Sequence, residues 1–104
     1  MEGTLTEEIW QKVAEDTGIE DFAKTTRDIP SYTDLMDARL VVMEHEGITL
    51  KDIQRSSSKV NLLDGARDFL ENLRQNFQVV ILSDTFHEIA SPLMEKLGFP
   101  LLLC

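Results

Sequence analysis

Apolar residues recur at helical spacing in Ile9, Trp10, Val13 and Ala14, and this face predicts a first helix over 7–17. Thr4 followed by Glu7 has the spacing of a capping box, and Gly18 supplies a left-handed stop. Ile19, Phe22 and Ala23 predict a further short helical turn, and the mixed, proline-ended stretch 25–30 predicts a loop. A second long helix is expected from Ser31, with Tyr32, Leu35, Met36, Leu40 and Met43 as its apolar stripe and Gly47 as its end. A short third helix fits 50–53, and the serine-rich stretch 55–59 reads as an exposed connector.

From Asp64 onward the pattern changes. Asp64 is placed to cap a helix whose core face is Ala66, Phe69, Leu70, Leu73 and Phe77. The β-favouring run 79–82 then predicts a buried strand, and Ile89, Ala90, Leu93, Met94 and Leu97 restore helical spacing. Pro92 falls inside that segment, marking a kink, and Gly98 with Pro100 ends it before a last strand at 101–103. Helix, strand, helix, strand is the grammar of a parallel α/β sheet, yet only two strands are expected and such sheets need several. The expected architecture is part of a larger fold.

A chain of 104 residues, 42% hydrophobic and 28% charged, has room for one domain and the composition to fold. Its net charge of −9 repels nucleic acid and anionic membrane surfaces. The apolar runs fall well short of the roughly 20 residues that cross a bilayer, and the acidic start lacks the order of a signal peptide. With a single cysteine, Cys104, no internal disulfide is possible, and a cytoplasmic location is the expectation.

Chemistry concentrates where the strand 79–82 runs into Ser83, Asp84 and Thr85 and then a helix, because ligands of parallel sheets bind beyond the carboxyl ends of strands. The Ser83 hydroxyl and nearby backbone N–H groups suit a phosphate oxygen, although helix capping alone explains the same three residues. The opening run Glu2-Gly3-Thr4-Leu5-Thr6 is the second candidate. His45, beside the end of its helix and between two acids, needs no catalytic explanation, and no metal-ligand spacing joins it to His87. Trp10, Phe22 and Tyr32 fit most simply as apolar packing.

Taken together, the opening run and the stretch from Phe77 to Phe86 resemble the first and second motifs of the haloacid dehalogenase superfamily. Thr25 to Pro30 and Leu97 to Pro100 extend the similarity to its phosphoserine phosphatase branch, including members that also pass the phosphoryl group to homoserine. The resemblance implies a partial Rossmann-like parallel sheet with an inserted α-helical cap. It divides the chain into a first-motif remnant over 1–6, a helical cap over 7–60 and the first half of the α/β core over 61–104.

It also implies roles. Glu2 stands where the superfamily has its general acid/base, whose backbone carbonyl touches Mg²⁺; Ser83 stands where the phosphoryl group is bound, helped by the N–H of Asp84. By the same resemblance Tyr32 aligns with an aromatic near the substrate, Glu8 lies at the position that receives the substrate amine, and Arg39 at the position that grips the substrate carboxylate. Chemistry agrees, since an ammonium seeks a carboxylate and a guanidinium can hold one by two parallel hydrogen bonds. Both residues also have plain alternatives, Glu8 as a first-turn acid and Arg39 as a surface ion-pair partner.

In the superfamily an Asp precedes the Glu2 position by two residues and attacks phosphorus, and a Lys and an Asp pair follow in later motifs. None of these matches falls within 1–104. The expectation is therefore a segment of a Mg²⁺-dependent enzyme that moves phosphoryl from phosphoserine to water or homoserine, inactive by itself. The competing expectation is a complete, small acidic helical module that binds a partner or oligomerises through its strands.

Overall fold

The computed structural model of the chain describes all 104 residues. Five α-helices and two short strands follow in the order α1 (Ile9–Thr17), α2 (Tyr32–Glu46), α3 (Leu50–Ser58), α4 (Ala66–Asn76), β1 (Val80–Leu82), α5 (His87–Lys96) and β2 (Leu101–Leu103). A 3-10 turn at Glu20–Ala23 separates α1 from α2. The protein is thus α/β, and β1 and β2 pair in parallel with Val80 opposite Leu101 and Leu82 opposite Leu103.

Gly18 and Gly47 end α1 and α2 in the left-handed conformation, at φ 72° and 69°, where a Cβ would be strained. Ser31 caps α2 by accepting from the Asp34 N–H. The other two expected caps are not formed. Thr4 and Glu7 make no capping box, because Glu8 is the N-cap residue of α1 and its own side chain caps nothing. Asp64 likewise gives way to Gly65, which enters α4 at φ 77° without a side-chain cap.

Nor is the stretch 55–59 an exposed connector. Its residues through Ser58 complete α3, with Ser56 and Ser57 buried. The reason lies in α5. Pro92 has no N–H to give to the carbonyl of Glu88, and the Gln54 side chain of α3 supplies a donor there at 2.8 Å. The Ser57 hydroxyl donates to the next carbonyl, that of Ile89, and Lys96 reaches back to the carbonyls of Ser58 and Val60. Small serines let the two helices approach, and the helix with an internal proline is repaired from outside.

Ile9 and Val13 of α1, Phe22, Ile53 of α3, Leu70 of α4, Ile81 of β1 and Ile89, Leu93 and Leu97 of α5 form one continuous core. The expected face of α5 is buried as a whole. On α2 the stripe is narrower than expected: Leu35 and Met36 are buried, Leu40 is exposed, and Arg39 is buried in its place. Phe69 and Phe77 of the α4 region are exposed as well. The strand 79–82 is not fully buried: Ile81 and its partner Leu102 are buried in the core and Val79 packs half-buried against it, while Val80, Leu82, Leu101 and Leu103 lie open on the other face.

The opening residues dock onto the segment between α3 and α4. Leu63 donates to the Leu5 carbonyl at 2.8 Å and Glu7 to the Asn61 carbonyl at 3.0 Å, so the chain leaves and re-enters at one place. No helix is long and apolar enough to cross a membrane.

Candidate active site

Residues 1–6 fold into a tight turn in which the Met1 carbonyl accepts from Thr4, Leu5 and Thr6. Gly3, at φ 76°, makes the reversal possible. The turn brings Glu2 under the start of α1 and beside the loop after β1. There the two oxygens of its carboxylate are engaged from different elements. Oε2 accepts from the Ile9 N–H at 2.8 Å, so Glu2 caps α1 from seven residues upstream, and Oε1 accepts from the Thr85 hydroxyl at 2.8 Å. An anion is favoured at a helix N-terminus, which explains why α1 needs no cap of its own.

Ser83 continues the parallel ladder by one step, its N–H donating to the Leu103 carbonyl at 3.0 Å, and so stands at the carboxyl end of β1. Its Oγ accepts from the Thr85 N–H at 3.1 Å. The hydroxyl proton is left free to donate outward, and the Asp84 N–H has no partner within the protein. Helix α5 begins only at His87, so the Thr85 N–H serves Ser83 and not a ligand.

Glu2, Ser83 and Asp84 line an open depression together with Met1, Leu82, Leu103 and Cys104. On the other side of Glu2 and Asp84 lies a more enclosed hollow of about 160 Å³, walled by Glu8, Trp10, Tyr32, Arg39 and Thr85 among others. Every residue singled out in the sequence as a site candidate therefore borders one of two hollows that share Glu2 and Asp84.

Arg39 is the unusual member. It is only 7% exposed, yet it forms no ion pair: one terminal nitrogen donates to the Lys24 carbonyl at 3.1 Å, another contacts the Met36 sulfur, and Nε has no partner at all. Its guanidinium lies over the Trp10 ring, 4.4 Å from the centroid, and Trp10 in turn leans on the buried Phe22. Burial lowers its proton affinity, opposed by Tyr32 and by the charges of Glu2, Asp84 and Glu8. Glu8 is shifted upward from the ordinary carboxylate range, first by burial and then by the negative charge of Glu2. A hollow lined by an unpaired guanidinium and by the carboxylates of Glu2 and Glu8 is matched to a small molecule carrying both charges.

The residues present do not make a magnesium centre. No three His, Cys, Asp or Glu side chains converge anywhere in the chain, and the Glu2 backbone carbonyl, the atom expected to touch the ion, is a single oxygen. Magnesium requires near-octahedral oxygen ligation, to which Glu2 alone brings too little.

Two contributors were not visible as such in the sequence. Thr85, buried and bonded to both Glu2 and Ser83, read only as a helix cap, and Trp10 read most simply as packing. Their signal is spatial and has no counterpart in spacing along the chain.

No protein-family model matches the chain. A phosphoserine phosphatase of Pseudomonas syringae pv. tomato is 54% identical over all 104 residues, which cover 44% of that protein. The phosphoserine phosphatase ThrH of Pseudomonas aeruginosa is 52% identical over the same residues, 51% of its length. The chain is homologous along its whole length to phosphoserine phosphatases. It spans about half the length of those two relatives. A phosphoserine phosphatase of Campylobacter jejuni subsp. doylei matches a shorter stretch of 57 residues at 37% identity.

Proposed function

We propose that these residues carry the helical cap, the acid/base group and part of the phosphate cradle of a phosphoserine phosphatase of the haloacid dehalogenase type. The observation that carries the reading is Arg39, a buried guanidinium without a carboxylate partner, facing the hollow that Glu2 and Glu8 border. An uncompensated buried charge is destabilising, and a ligand carboxylate removes that penalty. Phosphoserine supplies the carboxylate, an ammonium for Glu8 and a phosphate for the Ser83 hydroxyl and the Asp84 N–H. The insertion reading of 7–60 as a cap fits the hydrogen bonds that close its two ends beside each other.

In the whole protein, an Asp carboxylate attacks phosphorus, the phosphorus–oxygen bond to the seryl group breaks, and Glu2 gives its proton to the departing oxygen. Glu2 then takes a proton from water, or from the hydroxyl of homoserine, as that oxygen attacks the aspartyl-phosphate and frees the enzyme carboxylate. Magnesium dependence is a property of the whole protein in this reading.

The test compares phosphoserine with phosphoethanolamine, which keeps the amine and lacks the carboxylate, in the whole protein. Arg39→Ala is expected to cut kcat/KM for phosphoserine by on the order of 100-fold or more and to leave phosphoethanolamine hydrolysis nearly unchanged, the loss of a charge-assisted pair. Equal losses on both would overturn the assignment.

A further inference from the structure

Thr85 is bonded to both groups on which the proposed chemistry depends. Its hydroxyl donates to Glu2 Oε1 at 2.8 Å, its N–H donates to Ser83 Oγ at 3.1 Å, and it is buried. We propose that Thr85 is a positioning residue that aims the Glu2 carboxylate and the Ser83 hydroxyl at one common point between them. The inference rests on the reading of Glu2 as the acid/base and goes beyond it, since it assigns a task to a residue that acts through two others.

The last torsion of a glutamate side chain is broad and roughly two-fold, so a carboxylate held at one oxygen still swings. Here Oε2 is held by the Ile9 N–H and Oε1 by Thr85, which fixes the plane. A carboxylate has about four acceptor directions, so these two bonds leave others for a reacting proton. The Thr85 hydroxyl is itself aimed, because a β-branched residue is stiff at its first side-chain torsion and this one is packed below the surface. By donating its N–H to Ser83 Oγ, Thr85 also occupies a lone pair of that oxygen and leaves the Ser83 proton to donate elsewhere. One residue thus sets the spacing and the polarity of donor and acid/base together. The effect belongs to the transition state, where misplacement by a fraction of an ångström is felt, and leaves ground-state binding nearly alone.

The decisive variants are Thr85→Val, which keeps the shape and removes the hydroxyl, Thr85→Ser, which keeps the hydroxyl, and Glu2→Gln. In the whole protein, Thr85→Val is expected to lower kcat for phosphoserine by on the order of 10-fold to 100-fold with KM unchanged, and Thr85→Ser to recover most of it. Glu2→Gln is expected to lower kcat by about 100-fold or more. In the 104-residue chain, Thr85→Val is expected to move the amide proton resonance of Ile9, which reports the opposite oxygen of the same carboxylate, and Thr85→Ser to restore it. A wild-type kcat and an unmoved Ile9 resonance in Thr85→Val, beside an inactive Glu2→Gln, would overturn the role of Thr85 alone. Full activity in Glu2→Gln would instead overturn the acid/base reading, and the Ile9 resonance would still decide whether Thr85 orients Glu2. If Thr85→Val fails to fold, as a thermal melt shows, Thr85→Ala takes its place with the same two readouts.

Discussion

The Tyr32 hydroxyl donates to the backbone carbonyl of Asp84 at 2.7 Å, joining the first turn of α2 to the loop after β1 across 52 residues of sequence. The accepting carbonyl and the Thr85 N–H belong to one peptide unit, so the bond from α2 also orients the donor that holds Ser83. Burial and the nearby Asp84 charge raise the Tyr32 phenol above its ordinary value of 10.0, which keeps it a donor. Tyr32→Phe is expected to cost about 1 kcal/mol in urea unfolding, the net worth of one hydrogen bond, and to speed amide exchange at 83–85. The sign of its pH dependence follows from the raised value. The stabilisation is complete below the unfolded pKa and is lost as pH rises through the folded one, so the gap between wild type and Tyr32→Phe should close only in strong alkali. A gap that closes near neutrality would contradict the bond.

Glu8 gives a second pH signature. Burial and Glu2 raise its carboxyl above the ordinary value of 4.5, so the fold holds the proton more tightly than the unfolded chain does. Stability from this group is therefore present at acid pH and declines as pH rises through the folded value. Glu8→Gln removes the disfavoured charge and is expected to raise Tm at pH 7 while changing it little at pH 4. In the whole protein the same variant should weaken phosphoserine binding, because the ammonium loses its counter-charge. A Tm gain that is equal at both pH values would show that charge is not the cause.

Ser57 tests how α3 and α5 are joined. It is wholly buried and donates to the Ile89 carbonyl next to the turn that Pro92 leaves short of a donor. Ser57→Ala leaves that carbonyl without the hydroxyl and is expected to cost about 1–3 kcal/mol, although the change is small in volume. Ser58, one residue further, is exposed and donates to the Arg55 carbonyl of its own helix, and Ser58→Ala should change stability by no more than about 0.5 kcal/mol. Equal effects in the two variants, measured by urea unfolding, would contradict the joining of α3 to α5 through the Ser57 hydroxyl.

The same serines separate what is legible along the chain from what is not. Elements with an apolar period and a clear stop, such as α1 and α5, are legible because period and stop are local properties, and α2 is legible from its Ser31 cap and Gly47 stop although its apolar stripe is weak. The run from Arg55 to Lys59 is polar throughout, and Ser56 and Ser57 are buried only because α5 packs there and offers a distant carbonyl that accepts a hydroxyl. The caps expected from Thr4 and Asp64 fail for a related reason. Glu2 reaches α1 from outside the local window, and Gly65 enters α4 in a left-handed conformation that a residue with a Cβ adopts only at a cost. In the site, Glu2, Glu8, Ser83, Asp84 and Arg39 are named by motif resemblance, and the structure gathers them around two adjoining hollows. The role of Thr85 is hidden because its bond to Glu2 joins positions 83 residues apart.

The sheet offers a contrast between neighbours. Ile81 is buried with the rest of the core, while Leu82 is 73% exposed on the open face beside Leu103. Burial of an aliphatic side chain is what stabilises, so two adjacent residues of similar size should respond differently. Ile81→Ala is expected to cost about 2–5 kcal/mol, the usual range for emptying a buried aliphatic site. Leu82→Thr, which keeps strand preference and removes apolar surface, should stay within about 0.5 kcal/mol and raise solubility. Chemical unfolding of the 104-residue chain measures both. A large loss in Leu82→Thr would mean that the open face is covered in solution, by self-association through the strands, and a sedimentation experiment across a range of concentrations would then show the species that covers it.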